Sequence, residues 1–266
     1  MKTSDLYQII ERFHIRVSSG VNFWAPYINN LDFTQREHVI HGLGKSSAKE
    51  ILRAASLAHR LEPSLNSEEL KTNLVNGHFN SPDIDYKGID CSGFVYHVLN
   101  DYLTEEYDDS LAKYVSLPKN HVLNGAYNLK DWANVYTLSK EEAFSLPDDV
   151  PVQWVVERFK RKPENLCGAR GLVSEYSAIK IMSIHEVEPG DTVFMSSDKN
   201  TVPHIALILE NKHSELVIAH STRKDPSDPG GVIIERLPVK FDVADTSGMY
   251  SPHTIESFHR SRALIR

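Results

Sequence analysis

The chain is poor in cysteine: 266 residues hold two, Cys91 and Cys167, far apart and in no CxxC spacing. That argues against a disulfide framework and against a thiolate zinc site, and favours at least one free thiol. No apolar run approaches the roughly 18 residues that a membrane-spanning helix needs, so no span is expected. The N-terminal stretch "MKTSDLYQIIERFHIRVSSG" lacks the apolar centre of a signal peptide, because Glu11, Arg12, His14 and Arg16 interrupt it. A cytoplasmic protein is expected, or one exported or released by a route that needs no such signal. Excess positive charge is also missing: the net charge is −7, with both signs interspersed. An acidic chain of this kind carries no polybasic footprint for nucleic acid or a membrane surface. None of the 13 histidines falls in an HExxH or comparable ligand spacing, so no metal site and no cofactor is implied.

What is present is enough apolar material, 41% of residues, to bury a core in one large domain or one domain with an elaboration. Residues 1–70 read as a helical region. Its clearest element is "SSAKEILRAASLAHRLEPS", with Ser46 or Ser47 as cap, Glu50 near the third helical position, and Pro63 as the stop. Trp24 and Tyr27, in "NFWAPYINN", are most simply packing residues. Residues 73–90 are loop-like, rich in Asn, Gly, Ser, Pro and Asp. "CSGFVYHVLNDYL" follows, with Phe94, Val95, Val98, Leu99 and Leu103 at helical spacing, so Cys91 opens a buried helix. A polar segment, 104–170, reads as an insertion whose "SKEEAFSL" and "VPVQWVVERFKRK" form short helices. From about residue 171 the texture becomes that of strands: "SAIKIMSI", "DTVFMSS", "HIALILEN", "ELVIAHST", "GVIIERL" and "SRALIR", separated by "EPGD", "ENKHSE" and "DPSDPGG". The fold class expected is α+β, with the cysteine helix packed on a C-terminal antiparallel sheet of about six strands.

Cys91 has four readings: a small buried hydrophobe, half of a disulfide, a metal ligand, or a nucleophile. A nucleophile needs activation, a base, and a group that orients the base. A helix start supplies part of the activation, since free N–H groups and the dipole favour thiolate and can hold an oxyanion. His204 opens the strand "HIALILE" and His220 ends the next one. A hairpin around "ENKHSE" would bring both to one end of the sheet, where the second histidine could hold the first in its working tautomer. Taken singly, each of these residues is more simply structural. The constellation is what points to chemistry.

"DCSGFV", "EPGDTVFM", "PHIALILEN" and "LVIAHST", in that order, resemble the NlpC/P60 family of papain-like cysteine peptidases. The likeness covers roughly Asn73–His97 and Ile181–Arg266. It implies a catalytic domain over 71–266, carrying the insertion at 104–170. It implies Cys91 as nucleophile, His204 as general base and then acid, and His220 as the orienting third member. It also implies a peptide or muropeptide substrate, cut at the D-glutamyl to diamino-acid link of a peptidoglycan stem. Asp90 and Ser92 flank the nucleophile and are candidate substrate contacts. The chain departs from the family pattern upstream: Phe79 stands near the place of a tyrosine that lends a hydroxyl to the site, and Tyr86 is the candidate substitute. The gap from Cys91 to Gly190 is also far longer than the family's usual one. Asp191, in the Pro189-Gly190-Asp191 turn, is read as pinning that turn. Cys167 is expected to have no catalytic role, and a disulfide from it to Cys91 would switch the enzyme off. Two alternatives keep or drop the chemistry: a papain-like amidase or acyltransferase on another small amide or thioester, and an inactive peptide-binding module.

Overall fold

A computed structural model describes residues 1–28, 44–120, 122, 139–197, 203–223, 229–239, 248–250 and 253–265. The chain opens with α1 (Thr3–Glu11), whose Leu6, Ile9 and Ile10 lie at helical spacing and are buried together. A small hairpin follows, β1 (His14–Arg16) against β2 (Asn22–Trp24), within a region expected to be mostly helical. Alternation explains the difference: Ile15 and Phe23, opposite one another, are buried while their neighbours are not. Helix α2 (Ala48–Leu61) starts at Ser47, which makes a reciprocal capping box with Glu50. Helix α3 (Ser67–Asn76) is capped by Asn66 in the same way and reaches four residues into the stretch read as loop. Gly77, in the left-handed region at φ +72°, ends it.

Helix α4 (Cys91–Tyr107) is the central element. Phe94, Val95, Val98, Leu99 and Leu103 are all buried, and by area each adds about 2 kcal/mol to stability. Gly93 is required here, because a Cβ at that position would stand 2.5 Å from the Gly44 carbonyl. The insertion carries the β3 (Ser116–Pro118) and β4 (Asp149–Pro151) pair and three short helices, Lys140–Ser145, Val152–Phe159 and Ala169–Leu172. Leu117, Val150, Val155, Phe159 and Cys167 bury into the same cluster as α1, α2 and α4. The N-terminal region and the insertion therefore share one core with the cysteine helix.

The rest is strand: β5 (Ala178–Ile181), β6 (Thr192–Ser197), β7 (Pro203–Asn211), β8 (Glu215–Thr222), β9 (Gly231–Pro238), β10 (Gly248–Tyr250) and β11 (His253–Ser261). Among the described residues they make one seven-stranded antiparallel sheet in the order β10-β11-β6-β7-β8-β9, with β5 on β11. The α+β expectation holds. One strand is placed differently: the tail "SRALIR" is not a strand, since Ser261 ends β11 and caps a 3-10 turn over Arg262–Leu264. Most of the turn "DPSDPGG", the "NT" and Val202 ahead of Pro203, and residues 123–138 of the insertion lie outside the described residues. Period-two alternation gives the sheet two apolar faces. Ile205, Leu207, Leu209, Val217, Ala219 and Val232 pack in the cluster of α4, while Val193, Met195, Ala206, Ile208, Ile218 and Phe258 form a second cluster.

The Pro189-Gly190-Asp191 turn has the pinning role expected of it. Gly190 sits at φ +97°, and its N–H donates to the Ile208 carbonyl. Asp191 is buried, accepts from the Glu188 N–H at 2.7 Å, and takes both arms of Arg260 at 2.8 Å each. The carboxylate thus ties β6 to β11. Asp191→Ala leaves Arg260 with only the Glu186 carbonyl and the Glu188 carboxylate, and the Glu188 N–H without its acceptor, and should lower unfolding free energy by about 2 kcal/mol, read from urea denaturation.

Candidate active site

The segment just before α4 is held on several sides by backbone. The Ile89 N–H donates to Pro26, the Asp90 N–H donates to Gly44 at 2.6 Å, and the Ser46 N–H donates to Gly88. Asp90 is the N-cap, its side chain accepting from the Gly93 N–H at 2.6 Å. The same carboxylate accepts from the Ser92 hydroxyl at 3.0 Å and from Lys45 at 2.9 Å. Lys45 is 5% exposed and also donates to the Ser92 hydroxyl and to the Cys167 carbonyl. His97, one face along α4, hydrogen-bonds the Lys45 carbonyl at 3.0 Å and so packs the lysine's own backbone onto the helix.

Cys91 is therefore the first residue of a firmly capped helix. The N–H groups of Ile205 and Ser92 hydrogen-bond its sulfur and pull its pKa down, as the helix start led one to expect. Burial, and then the Asp90 charge, outweigh them and push the thiol up to about 12. At rest the Cys91 side chain is consequently a neutral thiol. Cys167 is wholly buried, and burial pushes its thiol up to about 12 as well. Both cysteines are free.

The two histidines meet as the hairpin predicts. His204 Nε2 and His220 Nδ1 are 2.6 Å apart, both rings are buried, and they lie edge to face. Strand alternation puts them on the Ala206 and Ile218 face, whereas Cys91 comes from the α4 side. The ties between the two sides run through the histidines' neighbours. Ile205, next to His204, donates its N–H to the Cys91 sulfur. Ser221, next to His220, donates its hydroxyl to the Ile89 carbonyl at 2.6 Å. Each histidine is thus one peptide bond from a residue that touches the nucleophile segment.

The remaining candidates separate. Asp90 and Ser92 are turned into the buried Lys45 cluster, where they shape the helix start. The Tyr86 ring and hydroxyl lie over Gly77, close enough that a Cβ there would be 2.6 Å from the oxygen. Tyr86 itself holds φ +58° and bonds its N–H to Leu74. Phe79 packs on the hydrophobic core, and its N–H is held by Asp85 at 3.0 Å. Its loop is organised by Asp85, which also accepts from the Ser81 N–H. The N–H groups at the helix start differ in their partners. The Gly93 N–H is occupied by the Asp90 side chain and the Phe94 N–H by the Asp90 carbonyl, while the Cys91 N–H has no acceptor among the described residues. Trp24 stacks on His14, and Tyr27 bridges to Ile89 and bonds Pro229, so both are packing residues.

Two charged side chains of the site went unnoticed in the sequence. Lys45 stands in "GLGKSS" with no periodicity to mark it. Glu235, in "GVIIERL", accepts from His220 Nε2 at 2.7 Å, and its side chain is 16% exposed. The alternation of β9 did carry a signal, because Glu235 is in phase with the buried Leu237. No cluster of three metal-ligating side chains occurs among the described residues. No known protein family, curated protein or solved structure matches the chain.

Two outcomes follow from this electrostatics. Lys45→Met strands the Asp90 charge and should cost about 3 kcal/mol, most of it regained in Lys45→Met/Asp90→Asn; a double-mutant cycle by denaturation measures it. Both thiols hold their protons up to about 12 when folded, against an ordinary 9.0. The folded chain therefore binds more protons than the unfolded one above pH 9, and the stability present below that pH is lost as pH climbs towards 12. Cys91→Ala/Cys167→Ala should flatten that alkaline decline in a series of denaturation curves.

Proposed function

We propose that the chain is a cysteine hydrolase that cleaves an amide bond, with Cys91 as nucleophile, His204 as base and acid, and His220 orienting His204. The observation that carries this reading is the buried His204–His220 bond of 2.6 Å, at the sheet end where Ile205 also binds the Cys91 sulfur. Buried imidazoles bonded to one another beside a thiol at a helix start serve no packing need that apolar residues would not serve better.

The Cys91 thiol gives its proton to His204 as the sulfur attacks the substrate carbonyl. Deprotonation is concerted with attack, since burial keeps the resting thiol neutral. The oxyanion takes the Cys91 N–H. His204 then protonates the leaving amine, and an acyl thioester remains on Cys91. Water, deprotonated by His204, attacks the thioester, and the thiol recovers its proton. The resemblance to NlpC/P60 peptidases supports a peptidoglycan stem peptide as substrate, cut at the D-glutamyl to diamino-acid link.

A second enzyme reading draws on the 9% exposure of Cys91. A thioester formed at so sheltered a sulfur is shielded from water, which suits acyl transfer to an amine.

Incubation with purified muropeptides, followed by mass spectrometry, tests the substrate. Two shorter peptides are expected from hydrolysis, and a conjugate with an added amine from acyl transfer. Cys91→Ala and His204→Ala should each lower the rate at least about 1000-fold, and His220→Ala about 10- to 100-fold. Full activity in His204→Ala would break the mechanism. Intact muropeptides together with a Cys91 that no thiol reagent labels, even at alkaline pH, would leave a peptide-binding module.

A further inference from the structure

The geometry points to Glu235 as the positioning residue of the site, a carboxylate that sets the tautomer of His204 and shares the charge His204 acquires, acting through His220. The inference rests on the reading of His204 as the base. Its structural ground is an unbroken chain of two short bonds: Glu235 Oε1 to His220 Nε2 at 2.7 Å, and His220 Nδ1 to His204 Nε2 at 2.6 Å.

Donor and acceptor chemistry gives the chain a direction. An ionised carboxylate only accepts, so His220 donates from Nε2. A neutral imidazole carries one N–H, so His220 Nδ1 is an acceptor and His204 must donate from Nε2. That leaves His204 Nδ1 without a proton, which is the state a base requires. Reversed, with Nδ1 protonated, two bare nitrogens would face each other at 2.6 Å. The carboxylate thus fixes, from two bonds away, which nitrogen takes the Cys91 proton.

Charge follows the same path. When His204 accepts a proton, the positive charge spreads over two imidazoles that end on a carboxylate. Asp90 and Lys45, on the Cys91 side, pair with each other at 2.9 Å. Arg236, the neighbour of Glu235, pairs with Glu215. Met195 lies opposite His204 on β6 and Ile233 opposite His220 on β9, and neither titrates.

The test is nitrogen NMR of the histidine rings in the full chain, with signals assigned by their loss in His204→Ala and His220→Ala. Both neutral rings are expected as Nε2–H. Glu235→Gln keeps an oxygen acceptor for the His220 Nε2–H, so both tautomers should persist. Glu235→Ala removes the acceptor as well and should yield mixed tautomers. A His204 ring carrying its proton on Nδ1 would overturn the inference. So would unmixed Nε2–H tautomers in Glu235→Ala; if that variant does not fold, the wild-type spectrum carries the test by itself, because an Nδ1–H on either ring breaks the chain. The readout needs no turnover: uncleaved muropeptides alongside the expected spectra would reject the substrate reading and leave the role of Glu235 standing.

Discussion

The Asp90 carboxylate is the interaction on which the site depends. One side chain caps α4 at Gly93, fixes the Ser92 hydroxyl and receives Lys45, all within the turn that presents Cys91. A charge so buried is stable only when paired, and Lys45 supplies the pair from a loop far away in sequence. Lys45 in turn reaches the Cys167 carbonyl, so the start of α2, the insertion and the nucleophile helix meet at one ammonium group. The arrangement has an electrostatic cost: the same carboxylate that orders the helix start disfavours a thiolate next to it. A site that depended on a preformed thiolate would be poorly served by this cap.

The sheet contributes by opening at one end. Paired register between β7 and β8 runs from Leu207↔Ala219 to Asn211↔Leu216. Beyond Leu207, towards the histidines, groups turn to the nucleophile segment instead. The Ile205 N–H serves the Cys91 sulfur, and the Ser221 hydroxyl serves the Ile89 carbonyl. Polar groups near a buried strand end must find partners. Here those partners belong to the helix start, which couples the position of Cys91 to that of both histidines through backbone.

The parts of this structure that were legible in sequence are those governed by local periodicity. The capping box of α2, the apolar stripe of α4 and the alternating strands β6 to β9 all follow from residue spacing, and the His204–His220 meeting follows from the hairpin between their strands. What escaped was set by tertiary contact. Lys45 is one lysine among many until its loop packs under Asp90. Tyr86 sits five residues from Cys91, yet a left-handed backbone angle turns it towards Gly77. Asp90 and Ser92 look like substrate contacts because they flank a cysteine, but their side chains point into the protein. The depth at which Cys91 lies, which reverses the expected sign of its pKa shift, is likewise a property of packing and not of the helix start.

The neutral thiol and the histidine chain answer one another physically. Burial protects Cys91, because oxidation and alkylation run through the thiolate. The same burial would leave the sulfur inert unless a strong base stood ready, and a histidine alone is a weak one. On the hydrolase reading, His204 is that base, its ring held by His220 and His220 held in turn by Glu235. The reactivity proposed for the site would then reside less in Cys91, whose thiol burial keeps neutral, than in the hydrogen-bonded side chains of β7, β8 and β9.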